Sequence, residues 1–252
     1  MTLAAELRWA MVPPLSFVND VVEVCAVLEP AYEIAGDTFD YAHNGDVTHV
    51  AVFDAVGHGL EASRLANLAV VAYRHSRRRD VDLAHTVAAI DRVVREQVDP
   101  ERFLTSLLVE LDTTTGRLRI ANAGHPPPLL VRRERVIGEV RCERRPPIGF
   151  GAVDTPITEV ALEPGDRLLL YTDGVVEARS ASGEQFGVER LADFMARAAF
   201  SEEPPAETMR RLIHSVLDHE AGQLRDDATV VLLGWKRRAG DSAESLPARS
   251  PS

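Results

Sequence analysis

Five acidic residues sit where they could do chemistry together. Asp37 lies in Gly36-Asp37-Thr38-Phe39-Asp40, and Asp54 ends the apolar run 47–53 (VTHVAVF). Asp173 follows the run 168–172 (LLLYT) and precedes Gly174, while Asp226 and Asp227 stand directly before 228–235 (ATVVLLGW). A carboxylate at the mouth of a buried strand is costly unless something pairs with it. Several arriving at one end of a sheet repel each other unless cations lie between them. Mg²⁺ and Mn²⁺ suit such a place, because they take carboxylate and carbonyl oxygens and complete an octahedron with water. Two such ions about 3.5–4 Å apart can hold a water as hydroxide and offset charge building on a phosphoryl group. Taken singly, Asp-Gly after a strand is also an ordinary turn; the constellation is what points to a metal site.

Other marked residues have two readings each. His58, four residues after Asp54, could protonate a leaving hydroxyl, since an imidazole titrates near neutrality. Equally, Gly57-His58-Gly59 could only shape the entry into the next helix. His125, in Asn122-Ala123-Gly124-His125, reads as an anchor that hydrogen-bonds across a turn. Thr172 reads either as a support for the metal ligands or as a satisfied strand-end hydroxyl. The basic run Arg74, His75, Arg77, Arg78 and Arg79 reads as a solvated helix end favoured by the helix dipole, with docking of an acidic partner as the other option. Gly57–Gly59 is no nucleotide loop, because no Gly-Lys-Ser/Thr follows it.

The elements that must position these residues follow from periodicity. Strands are expected at 21–27, 47–53, 106–111, 117–120, 128–132, 166–172 and 228–235. The pair 106–111 and 117–120, joined by the turn 112–116, reads as a hairpin with one wet face. Leu65, Leu68, Ala69 and Ala72 mark one helical face, and Leu83, Val87, Ile90 and Val94 another, with Asp82 as N-cap. Two more helices are expected over about 188–199 and around Met209, Leu212, Ile213 and Val216, the latter after Pro204 and Pro205. Strands and helices do not alternate one for one, so a β-rich, layered α+β domain with helix pairs fits better than a doubly wound parallel sheet.

The chain has 252 residues, 45 % of them apolar and 27 % charged, with 39 acidic against 28 basic side chains and a net charge of −11. That composition excludes a disordered chain. The acidic balance excludes a protein that wraps nucleic acid through its phosphates. No apolar run is long enough for a membrane-spanning helix, so no membrane association is expected. The first ten residues do not have the order of a secretion signal, and the two cysteines, Cys25 and Cys142, read as reduced packing residues, so the expected location is the cytoplasm.

Five segments together resemble a known family: 33–41 (EIAGDTFDY), 53–59 (FDAVGHG), 103–130 (FLTSLLVELDTTTGRLRIANAGHPPPLL), 168–179 (LLLYTDGVVEAR) and 226–231 (DDATVV). Their order and spacing are similar to the metal-dependent (PPM-type, PP2C-like) Ser/Thr protein phosphatases, in the bacterial SpoIIE-like branch. The resemblance implies an α+β, four-layer αββα sandwich: two packed, mostly antiparallel sheets flanked by helix pairs, with a dinuclear site at one edge. It divides the chain into an N-terminal extension at 1–20, a phosphatase domain at 21–236 and a disordered tail at 237–252. Leu3, Leu7 and Met11 have helical spacing in that extension, which reads either as an ordinary packing helix or as a dimerising or docking helix that would make a homodimer.

Carried over by motif, the resemblance makes Asp54 the bridge between two Mn²⁺ or Mg²⁺ ions, with the backbone carbonyl of Ala55 on the second ion. Asp173 and Asp226 hold the first ion, Asp227 is a close rival to Asp226, and Asp37 supports the second ion directly or through water. The chain departs from the family at Ala35 and Ala55, where glycine or a small polar residue is usual; both substitutes are small. The implied reaction is in-line attack of a metal-activated hydroxide on phosphoserine or phosphothreonine, with Asp54 and His58 as catalytic residues. The implied substrate is a phosphorylated protein, by resemblance a STAS-fold anti-sigma-factor antagonist in a sigma-factor or stress switch. Two other function classes compete: a pseudo-phosphatase binding module, against which every expected carboxylate is present, and a two-metal hydrolase of small phosphate esters.

Overall fold

Alternation along one strand sorts the interior into layers. The computed structural model describes residues 11–32, 35–97, 99, 101–133, 135–152, 154–199 and 203–236. In the strand β4 (Val47–Ala55), Val50 and Val52 enter one apolar cluster while Ala51, Phe53 and Ala55 enter another. A strand can bury both faces only between two layers, and that is where β4 lies.

One sheet has the order β10-β6-β5-β4-β3: β10 (Ile157–Ala161), β6 (Arg117–Ala123), β5 (Leu104–Asp112), β4 and β3 (Asp37–Asn44). The other has the order β1-β2-β12-β11-β7-β8: β1 (Ser16–Val18), β2 (Val22–Glu29), β12 (Ala228–Trp235), β11 (Arg167–Tyr171), β7 (Leu129–Arg132) and β8 (Arg135–Glu139). Every pairing along these two orders is antiparallel; the short β9 (Arg144–Arg145) lies parallel to β6. One cluster, including Val24, Phe39, Val52, Leu107, Leu170 and Val231, fills the space between the sheets. A second joins β4, β5 and β6 to the helices α1 (Gly59–Arg77) and α2 (Leu83–Gln97). A third joins β2, β7, β11 and β12 to α3 (Asp173–Glu177), α4 (Gly187–Ala199) and α5 (Pro205–His219). Helices, sheet, sheet, helices: this is the expected αββα sandwich.

The helices form where their apolar stripes predict. Leu83, Val87, Ile90 and Val94 are all buried in α2, and Asp82 caps it by accepting the His85 amide at 3.1 Å. Met209, Leu212, Ile213 and Val216 are buried in α5, which begins at Pro205. In α1, Leu65, Ala69 and Ala72 are buried. Among the described residues no helix is long and apolar enough to cross a membrane.

Several expectations change. The β5–β6 hairpin has no wet face: helices cover one side and the second sheet the other, and water is reached at its ends, as by Glu110 and Arg117 toward the turn. Arg74 and Arg77 are not a solvated helix end. They turn inward onto Asp40, which is 2 % exposed, at 2.7 and 3.3 Å, while Arg78 and Arg79 remain exposed. The strands β1, β3, β8 and β10 had no counterpart in the periodicity: β1, β8 and β10 are exposed or half-exposed edge strands, and β3 (DTFDYAHN) is rich in polar residues. Of the N-terminal stretch at 1–20, residues 1–10 lie outside the described residues. Residues 16–18 pair with β2, and the carbonyls of Met11 and Pro14 accept hydrogen bonds from Arg74 and Tyr41. Leu3, Leu7 and the stretch 237–252 likewise lie outside the described residues. Both cysteines are free; Cys25 is buried and Cys142 half-buried.

Candidate metal centre

The same alternation that builds the core aims the carboxylates. Asp54 continues the row of Val50 and Val52, which faces the space between the sheets. Asp37 continues the row of Phe39, and Thr105 that of Leu107 and Val109. The register then sets Asp37 directly opposite Asp54, and Asp54 opposite Thr105. From the facing sheet, Thr172 continues the row of Leu168 and Leu170, and Thr229 and Asp227 that of Val231 and Leu233. Six polar side chains from five strands and their ends thus converge at one edge of the sandwich. Two carboxylates directly opposite each other on one face destabilise a sheet, so this pair is not there for the fold.

Hydrogen bonds separate the carboxylates into two kinds. Asp37 is 2 % exposed, and its Oδ2 accepts from the hydroxyls of Thr172 at 2.8 Å and Thr229 at 2.7 Å, tying the two sheets together. Asp227 acts on main chain: Oδ1 accepts the Ala31 amide at 2.9 Å, and Oδ2 accepts those of Gly36 at 2.5 Å and Asp37 at 3.4 Å. It therefore clamps the loop that delivers Asp37. Asp226, its rival, is exposed and accepts only the Asp227 amide at 2.9 Å among the described residues. It lines a cavity of about 230 Å³ beside Gly174 and Glu177. Asp54 Oδ2 lies 3.5 Å from the Thr105 hydroxyl, which also meets His125 Nδ1 at 2.6 Å.

Proton affinities report the crowding. Burial, and then Asp173, Asp226 and Asp227, push Asp54 up to about 8. Burial, then Asp54 and Asp227, push Asp37 well above the usual carboxylate range against the pull of its two threonines. Asp173 is raised by burial and then by Asp226 and Glu177; Asp226 is raised chiefly by burial. A divalent cation among these groups would lower all of these affinities together.

The donors fit such a cation. All are hard oxygens, and the Ala55 carbonyl joins them: a side chain at Gly36 would come within 2.9 Å of it, so only glycine lets the Asp37 loop lie this close. Among the described residues, however, no three acidic, His or Cys side chains are drawn together tightly enough to grip an ion as they stand.

The other expected residues fall outside this cluster. His58 is exposed at the start of α1 and stacks on Tyr32 with ring centroids 4.7 Å apart, on the rim. His125 is buried. Asn122 brackets it by accepting its amide and donating to its carbonyl, both at 2.9 Å, and burial pushes its imidazole down to about 3, so it stays neutral. Thr105, Thr229 and the clamp made by Asp227 were not read from the sequence. The period-2 rows that hold Asp54 and Thr172 carry them too.

Known proteins resemble this chain. The family described as "Stage II sporulation protein E (SpoIIE)" matches residues 44–236. The chain is 22 % identical over 223 residues to "Phosphoserine phosphatase RsbU" of Bacillus subtilis, covering 86 % of this chain and 64 % of that protein. It spans between 24 % and 64 % of the length of the curated relatives it matches. Among solved structures, the RsbU and RsbW domains of Rv1364c from Mycobacterium tuberculosis superpose with a TM-score of 0.79 at 28 % identity, over 89 % of this chain and 63 % of that one. The SiaA-PP2C domain of Pseudomonas aeruginosa gives 0.79 at 23 % identity, over 92 % and 94 %. With its αββα sandwich and its carboxylate edge, the chain belongs to the SpoIIE family, a PP2C-like branch of the PPM-type phosphatases.

Proposed function

We propose that this protein is a metal-dependent phosphoserine/phosphothreonine protein phosphatase. The observation that carries the reading is the cross-strand pair Asp37–Asp54, joined at the same edge by Asp173 and Asp226 from the facing sheet. Asp54, the Ala55 carbonyl, Asp173 and Asp226 are the proposed donors to two Mn²⁺ or Mg²⁺ ions, with Asp37 in support. Asp227 holds the loop and is left out of the donor set. When bound, such ions supply a water that is nucleophilic at neutral pH and positive charge to offset that of the phosphoryl oxygens. The chain's own residues supply position. Thr172 and Thr229 fix the Asp37 carboxylate, and the Thr105 hydroxyl, backed by neutral His125, steadies Asp54. His58, on the rim, is the group proposed to protonate the departing serine oxygen.

The substrate is proposed to be a phosphorylated cytoplasmic protein. The name of the RsbU relative supports phosphoserine, and the family resemblance supports a STAS-fold antagonist. Initial rates with Mn²⁺ on phosphoserine STAS protein, phosphoserine peptide, aryl phosphate and nucleotides test this. A higher kcat/KM on the phosphoprotein than on nucleotides is expected. The reverse order would make the protein a small-ester hydrolase.

A further inference from the structure

We propose that Arg102 is the side chain that grasps the phosphoryl oxygens of the substrate at the carboxylate edge, an inference that builds on the phosphatase reading. Arg102 lies just before β5, whose first residue, Leu104, pairs with Ala55 at the end of β4. The Phe103 carbonyl accepts the Val56 amide at 3.1 Å, so residues 102–104 run beside the turn that follows Asp54. The guanidinium reaches that turn: a side chain at Gly57 would start 3.3 Å from Arg102 Nη1. Gly57 has φ +88°, lacks a side chain, and leaves its place to the arginine head, in the turn that joins Asp54 to His58.

The main chain of Arg102 is held from two sides. Its amide donates to the Asp99 carbonyl at 2.9 Å, and Gly149 packs so closely that a side chain there would come within 2.9 Å of the Arg102 carbonyl. Its head is not held: among the described residues the guanidinium has no hydrogen bond and no ion pair. The other arginines near the carboxylates are committed, Arg225 to Glu220 at 3.3 Å and Arg179 to the Gly183 carbonyl at 3.1 Å. A half-buried cation on a fixed stem, beside an acidic edge yet paired with none of its members, suits a dianion that arrives from outside. The planar guanidinium fork matches two phosphoryl oxygens at once, which an ammonium does not.

The test compares the wild-type protein with Arg102→Ala, Arg102→Lys and, as a control in the exposed turn just after α1, Arg79→Ala, all at saturating Mn²⁺. Two quantities are read: KM for a phosphoserine peptide, and Kd for inorganic phosphate by titration calorimetry. Arg102→Ala should raise both about tenfold or more, with Mn²⁺ affinity and thermal midpoint unchanged. Arg102→Lys should recover part of the loss, and Arg79→Ala should change neither value. Unchanged KM and phosphate Kd in Arg102→Ala would overturn the proposal and leave the phosphatase reading standing, as would an effect that appears only through weakened Mn²⁺ binding. A wild-type protein that hydrolyses no phosphoester but loses phosphate affinity with Arg102→Ala would retain the binding role and refute the phosphatase.

Discussion

Asp226 and Asp227 are adjacent in the chain yet do different work, and substitution should separate them. Asp227→Ala leaves the amides of Ala31 and Gly36 without their acceptor, so it should cost about 1–3 kcal/mol in urea denaturation. Asp226→Asn should leave stability nearly unchanged while removing metal-dependent activity. Asp54 shows the cost of the site. With divalent ions chelated, its carboxyl binds a proton up to about pH 8 in the folded protein, against about pH 3.9 in the unfolded chain. The folded state then holds more protons across that window, so this stabilisation is full in acid and lost as pH rises through 8. Asp54→Asn should therefore gain about 1–2 kcal/mol at pH 8 in chelator while losing activity, and a loss of stability there would show that the carboxylates do not crowd one another. His125 acts in the opposite sense. With its folded affinity pushed down to about 3, its contribution is full above about pH 6.5 and falls away as pH drops toward 3. In His125→Asn, stability should depend less on pH across that window.

Between residues and fold stand the strand ends and turns that aim the carboxylates. The short helix α3 begins at Asp173, and its Gly174 lies against the Asp227 carbonyl so closely that any side chain would collide with main chain. Gly174→Ala should displace the 226–227 turn, lowering both the thermal midpoint and the Mn²⁺ affinity measured by calorimetry. Elements of this kind were unevenly legible in the sequence. The buried strands β4, β11 and β12 and the helices α2 and α5 announce themselves, because a bounded apolar run marks a strand covered on both faces and a 3.6-residue stripe marks a helix with one face in the core. β3 does not: Asp37, Asp40 and Asn44 break its pattern, since one end of the strand serves the site and Asp40 anchors Arg74 and Arg77. The edge strands β1, β8 and β10 bury too little to leave a signal. The carboxylates of the proposed site were legible as strand-end Asp. Which of Asp226 and Asp227 clamps the loop was not, because that depends on amides about 190 residues away in the chain.

At the scale of the whole molecule, the sandwich makes one edge where both sheets end, and the acidic groups of both meet there. Neither sheet alone assembles the set: Asp37 and Asp54 come from one, Asp173 and Asp226 from the ends of strands in the other. Threonine hydroxyls from the second sheet reach across to Asp37, so separating the layers would dismantle the site. Crowded in this way, the shared edge should work only with divalent ions in place. Phosphate release from a phosphoserine peptide by chelator-stripped protein, titrated with Mn²⁺ and with Asp54→Ala alongside, measures this dependence. No release without the ion, saturable recovery as Mn²⁺ is added, and no recovery in Asp54→Ala at any concentration are expected. Full activity in chelator, or equal Mn²⁺-dependent activity in Asp54→Ala, would contradict a metal-dependent site at this edge.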